Sequence, residues 1–150
     1  MTLTIAQESP LTEDATRLLN GSEAALREVY EMTECSSYNA AQLDVGSVRF
    51  LVARLDGHPV GCVALRTEDG YSEIKRLYTD PAVRGQGMAK ALVADLETSA
   101  RAEGCSRILL ETGSKLKADV SLYDAIGYTR RGSYGDYQQG DMTVFMEKVL

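Results

Sequence analysis

The stretch from Val48 to Ala100 constrains the fold more than any other part of the chain. Within it the hydrophobic period changes from two to about 3.6 across one glycine-rich loop. Val48–Leu55 is a strand-like run closed by Asp56-Gly57, a strong hairpin signal. Val60–Leu65 follows, and after the turn at Asp69-Gly70 comes Tyr71–Thr79, so the three runs form an antiparallel meander. Pro81 ends it, and a loop through Arg84-Gly85-Gln86-Gly87 opens into a helix. Met88, Leu92, Leu96 and Ala100 are spaced there as one face of a helix, thickened by Ala91, Val93 and Ala94, with Gly104 as the stop. Glu97 and Arg101 are spaced as on a solvated helix face.

The flanks complete the pattern. Thr2–Gln7 alternates as a short first strand, and Ser9-Pro10 offers a helix N-cap and a first-turn proline ahead of Glu13 and Asp14. Leu11, Ala15, Leu18 and Leu19, then Ala25, Leu26, Val29 and Tyr30, carry helical spacing. Asn20-Gly21 either divides that helix or is absorbed in it, and Met32–Asn39 is polar and irregular. Arg107–Thr112 is a buried-type strand, Asp119–Ile126 a short helix stopped by Gly127, and Tyr128–Arg131 and Met142–Val149 pair as the last strands. The order β-α-β-β-β-α-β-α-β-β predicts an α/β fold, a mixed sheet with helices on both faces. With 150 residues and neither repeat nor linker, residues 1–150 form one domain.

Charge and cysteine usage remove several function classes. Sixteen Lys and Arg against 22 Asp and Glu give a net charge of −6, with no basic stripe, so no nucleic-acid partner is expected. No apolar run approaches the roughly 18 residues of a membrane span. Met1–Pro10 lacks a basic segment followed by an apolar one, so no secretory signal is read. Cys35, Cys62 and Cys105 are odd in number and far apart, which fits a reducing, cytoplasmic setting and offers no metal clamp. Cys62 and Cys105 sit in apolar contexts as small core residues, and His58, the single histidine, lies in a turn. No metal is expected.

The loop Arg84-Gly85-Gln86-Gly87-Met88-Ala89 carries the chemistry. Amides at a helix start lack intrahelical partners and suit an anion, reinforced by the helix dipole. Glycines let a phosphate approach the backbone, and Arg84 and Lys90 add charge that an acidic protein needs there. An ordinary glycine-rich loop is the alternative. A nucleotide-hydrolase loop is excluded because no Gly-x-x-x-x-Gly-Lys-Ser/Thr occurs. The dinucleotide fingerprint is excluded because Lys90 stands where it needs a small residue, and because the loop follows an antiparallel meander.

These residues resemble the GNAT superfamily of N-acetyltransferases, whose signature Arg/Gln-x-x-Gly-x-Gly/Ala matches Arg84–Ala89. Glu73–Pro81 is similar to the preceding strand and Ser121–Tyr128 to the late helix and turn, usually Leu-Tyr-x-x-x-Gly-Phe/Tyr. Leu110–Gly113, Gly135–Tyr137 and Val144–Lys148 resemble a subgroup of small bacterial acetyltransferases. The resemblance implies a GNAT fold and acetyl-CoA as cosubstrate. Amides of Arg84, Gly85, Gln86, Gly87, Met88 and Ala89, with Lys90, would meet its pyrophosphate. Backbone groups of Leu77, Tyr78 and Thr79 would pair with its pantetheine arm. Tyr123 matches the tyrosine near the thioester sulfur. Full proton transfer from a phenol to a thiolate is uphill by about 2 kcal/mol, so the role the resemblance implies is a hydrogen bond to the departing sulfur or its later protonation, with a helix residue packed on the sheet as the alternative.

The attacking amine must lose a proton, and Glu73 is the first candidate base, with Glu111 second. Either could equally be a paired carboxylate on a sheet face. Tyr134, Asp136 and Tyr137 cluster in the turn Ser133–Gly140, and Tyr30, Glu34 and Tyr38 could face them, giving aromatic and acidic walls for a cationic amine. One departure stands out. Leu116 replaces a family amide side chain expected to touch the cofactor. The resulting expectation is direct acetyl transfer to a small-molecule amine or amino-acid-like acceptor. A protein lysine or N-terminal acetyltransferase and a non-catalytic CoA-binding module are the alternatives, and a homodimer is the assembly the resemblance suggests.

Overall fold

The computed structural model describes residues 2–30 and 39–150. The meander of the middle sequence becomes β2 (Val48–Leu55), β3 (His58–Thr67) and β4 (Ser72–Thr79), preceded by β1 (Leu3–Gln7), α1 (Glu13–Tyr30) and α2 (Ala40–Leu43). After a 3-10 turn (Pro81–Val83) come α3 (Met88–Ala102), β5 (Arg107–Gly113), α4 (Lys117–Ala125), β6 (Thr129–Arg131) and β7 (Thr143–Val149). The strands form one sheet in the order β1-β2-β3-β4-β5-β7-β6. The mixed α/β sheet is therefore as expected. Three local readings change. α1 begins at Glu13, and Thr12, not Ser9, caps it: the Thr12 hydroxyl accepts from the Ala15 amide at 3.0 Å. Asn20-Gly21 is absorbed, because burial of Ala15, Leu18, Leu19 and Ser22 along one face outweighs the roughly 1 kcal/mol a mid-helix glycine costs. The extra helix α2 is a single turn, too short for periodicity, held by reciprocal Asn39 and Gln42 capping bonds of 2.9 Å each.

Alternation in the strands sends apolar side chains to both faces. Leu51, Val63, Leu65, Ile74, Leu110 and Met146 pack on Leu92, Val93 and Leu96 of α3 and on Val120 and Tyr123 of α4. Phe50, Val52, Cys62 and Ala64 pack on Ala15, Leu18 and Leu19 of α1. A smaller cluster of Leu109, Tyr134 and Phe145 covers the far end of that second face. Cys62 is a fully buried free thiol, its pKa pushed up to about 12 by desolvation, and Cys105 packs part-buried against the α3 core. Both act as core residues; Cys35 lies outside the described residues.

Two irregularities of β4 shape the functional end. Opposite Val63, β4 carries two residues, Arg76 and Leu77, where the ladder skips from Cys62–Tyr78 to Ala64–Lys75. This is a β-bulge, and Arg76 takes φ +56°, an uncommon left-handed conformation for a side-chain-bearing residue. The Cys62 thiol donates to the Arg76 carbonyl at 3.6 Å, and the Arg76 guanidinium donates to Ser22 Oγ at 3.4 Å, so the neighbouring strand β3 and the helix α1 both hold the bulge. The second irregularity is the pairing of β4 with β5. Among the described residues it is the one parallel pair in the sheet, and it extends only from Ser72–Ile108 to Ile74–Leu110 before the strands part. Among the described residues, no helix is long and apolar enough to cross a membrane.

Candidate active site

Beyond Ile74, among the described residues, no strand pairs with the β5-facing edge of β4, so the backbone of Leu77, Tyr78 and Thr79 borders a wedge where the two strands part. Such an edge presents amides and carbonyls to an extended ligand. The wedge leads directly to the start of α3. Asp80 accepts from the Ala82 amide at 2.9 Å and turns the chain, and Arg84–Gly87 then reaches the helix. Gly85 and Gly87 have φ near +80°, and Gly87 is the N-cap with no side-chain capping bond. A helix start without a cap leaves its first amides available. The contrast with α1 is informative: its first turn carries Glu13 and Asp14, whereas the first turn of α3 carries no acidic residue. Arg84 and Lys90 are exposed beside it. A free strand edge running into an uncapped, positively biased helix start fits an extended thioester donor ending in a diphosphate. The expected positions Leu77, Tyr78, Thr79 and Arg84–Lys90 follow one another along the end of β4, the 3-10 turn and the first turn of α3, with Arg84–Gly87 and Lys90 exposed and the Met88 side chain buried in the α3 core.

Glu73 of β4 pairs with Leu109 of β5, and because residues two apart share a face, Lys75 and Glu111 lie with them on the α1 face of the sheet. Glu73 is 4% exposed and its Oε2 accepts from the Tyr134 hydroxyl at 2.5 Å, with Lys75 Nζ 3.4 Å away. Lys75 in turn bonds the Tyr137 hydroxyl and lies 4.9 Å above that ring. Burial, together with the charge of Glu73, pushes both Tyr134 and Tyr137 far above the ordinary phenol range, so both stay protonated donors. Glu111 differs. Desolvation raises its pKa, only partly countered by Lys75, and among the described residues its carboxyl makes no hydrogen bond or ion pair.

Tyr123 of α4 is 3% exposed on the α3 face and packs edge-on against Tyr128, with centroids 5.4 Å apart. Its hydroxyl makes no hydrogen bond among the described residues, and burial holds its pKa far above 10. Behind it the Tyr128 hydroxyl donates to Glu97 Oε2 at 2.9 Å, and Lys148 Nζ donates to Glu97 Oε1 at 3.1 Å and to the Ile126 carbonyl at 2.8 Å. Glu97 is therefore not part of a solvated face. It is 6% exposed and ties α3 to β7 and to the turn after α4.

The acceptor-side expectations divide. Tyr137 lies against Lys75, just past the point where β4 leaves β5, and Tyr30 lies over Gly113 at the end of β5, whereas Tyr134 is buried beneath Phe145 and Tyr137, and Asp136 is exposed in its turn. Tyr30 closes over the end of β5: its hydroxyl accepts from the Lys115 amide at 3.2 Å, and Lys115 Nζ lies 5.6 Å above its ring. The same hydroxyl occupies the space a Cβ on Gly113 would need. Gly113→Ala is accordingly expected to expel the Tyr30 ring, raising the acceptor KM several-fold with a near-parental melting temperature, as steady-state kinetics and thermal unfolding would report. Glu34 and Tyr38 lie outside the described residues. Leu116 is the N-cap of α4 and makes no capping bond with its side chain. Lys75 and the Glu97–Tyr128–Lys148 network escape motif reading. Strand alternation from Glu73 could have flagged Lys75, but no local pattern links Glu97 to Lys148.

Comparison with known proteins agrees with this geometry. The acetyltransferase (GNAT) family model matches residues 13–128. The chain is 37% identical over 150 residues to an IAA acetyltransferase of Azospirillum brasilense, covering 99% of this chain and 98% of that protein. An acyl-CoA N-acyltransferase from Klebsiella pneumoniae superposes with a TM-score of 0.82 at 34% identity, over 99% of this chain and 98% of that one. The PaiA N-acetyltransferase of Thermoplasma acidophilum, solved in complex with coenzyme A, shares the fold with a TM-score of 0.80 at 20% identity over the full length of both.

Proposed function

The chain belongs to the GNAT acetyltransferase family, and from that membership we propose that it moves an acetyl group from acetyl-CoA to the amine of a small, amino-acid-like acceptor by direct attack. The observation that carries this reading is the unpaired edge of β4 running into the uncapped start of α3. Acetyl-CoA supplies an activated thioester carbonyl.

The chain's own residues do the rest. The amides from Gly85 to Lys90 and the Arg84 guanidinium bind the diphosphate, and the Leu77–Thr79 backbone aligns the arm. Glu111 takes the proton from the ammonium form of the acceptor, since its carboxyl is desolvated, unpaired among the described residues and on the face that Tyr30 and Tyr137 border. Glu73 serves instead to hold Lys75 and Tyr134 in place, because its buried carboxylate is already engaged by both. The Tyr123 hydroxyl offers its proton in a hydrogen bond to the sulfur that departs. Its phenol is pushed still further above a thiol's pKa than a free tyrosine is, so donation without transfer is the consistent role. Tyr30 strapped to Lys115 narrows the opening from one side and Tyr137 from the other, which supports a small acceptor over a folded protein.

The test is an acceptor screen read by release of free thiol. Thiol release that rises with particular small amines supports the proposal. Release with peptides alone, or none above background across a broad amine panel despite coenzyme A binding, overturns it.

A further inference from the structure

Asp119 stands one helical turn before Tyr123 on α4, and residues four apart share a helix face. Lys117 and Ala118 point to solvent and Val120 into the core, so Asp119 is the first polar group on the inner side of α4, below a Leu116 cap that has no polar side-chain atom. Its carboxyl is half-buried, and among the described residues it makes no hydrogen bond or ion pair. Burial raises its pKa, the Arg84 guanidinium opposes that rise, and the carboxyl in turn raises the pKa of Tyr123. Val120 and Tyr123 share one buried cluster with Met88 at the start of α3, so Asp119 is an unpartnered acceptor on the face of α4 that carries Tyr123, at the end of the helix near the α3 start.

A carboxylate there is out of place beside a diphosphate, which it repels, and beside a departing sulfur, which also gains negative charge. It suits an N–H donor. Between a diphosphate at the α3 start and a thioester at Tyr123, the ligand groups that carry N–H are the amides of the pantetheine arm. Resting on the acetyl-CoA reading above, we propose that Asp119 is a binding residue that accepts a hydrogen bond from an amide N–H of that arm, replacing the polar contact that Leu116 does not make. A helix-dipole role at the first turn of α4 would stabilise the fold but would not distinguish ligands with and without the arm.

Calorimetry separates the possibilities, with coenzyme A and ADP (a diphosphate without the arm) titrated into the parent, Asp119→Ala and Asp119→Asn. The expected result is a roughly tenfold weaker coenzyme A affinity in Asp119→Ala, about one hydrogen bond to a charged acceptor. ADP affinity should stay equal or tighten as a negative charge leaves the neighbourhood of Arg84. Asp119→Asn, which keeps the shape and one acceptor oxygen, should fall between. Equal or tighter coenzyme A binding by Asp119→Ala, or equal losses for coenzyme A and ADP in both variants, overturns the inference. If the parent itself fails to bind coenzyme A, the acetyl-CoA reading falls instead.

Discussion

Glu111→Gln is expected to lower kcat/KM for an amine acceptor about 100-fold at neutral pH, the scale of one lost general base. It should also remove the rise of activity with pH that the parent shows on its acid side. The carboxyl must be ionised to accept a proton, and desolvation sets its pKa above the ordinary 4.5, so the parent's rate climbs through a value above that figure. Stability runs the other way. A carboxyl whose pKa is raised on folding favours the folded state while protonated, and that contribution is lost as pH rises from the ordinary value through the raised one. At pH 7 the variant should therefore unfold at the same temperature as the parent or higher, an inactive protein no less stable than the active one. Glu73→Gln provides the contrast. It weakens the bond from Tyr134 and removes the carboxylate beside Lys75, so melting temperature and activity should fall together while the acid side of the profile survives. An unchanged pH profile in Glu111→Gln, with the profile altered in Glu73→Gln, would return the base to Glu73.

Tyr123→Phe is expected to reduce kcat by roughly 10- to 100-fold with little change in the KM for the donor, because in the proposed mechanism the lost hydroxyl acts on the departing sulfur. The phenylalanine ring keeps the edge-on contact with Tyr128, so the melting temperature should move by only a few degrees. A donor with a more acidic thiol leaves more easily and should shrink the gap between parent and variant. Since the hydroxyl titrates far above 10, this step should add no basic limb to the profile below that pH. Equal rates in parent and variant would reduce Tyr123 to a packing residue of the α3 face.

Much of this arrangement was legible residue by residue. The hairpin at Asp56-Gly57, the stripe of Met88, Leu92, Leu96 and Ala100, and the glycines of 85 and 87 are local signals, since turn geometry, helical period and a positive φ are each set by a few adjacent residues. The roles of Glu73 and Glu111 were not legible. Both are strand carboxylates in apolar company, and what divides them is which one Tyr134 reaches from 61 positions along the chain. Glu97 misled for the same reason: four residues from Arg101 it reads as a surface pair, yet Lys148, 51 positions away, claims it for the interior.

Element types, their order and the glycine-rich loop that opens α3 are thus carried by the chain's own period and turn chemistry, which depend on neighbours in sequence. The parting of β4 from β5 after Ile74, the bulge at Arg76 and the separation of one engaged carboxylate from one unengaged carboxylate arise only when strands from distant segments lie side by side. Burial and hydrogen-bond partnership, which set protonation and hence chemistry, are properties of that assembled neighbourhood.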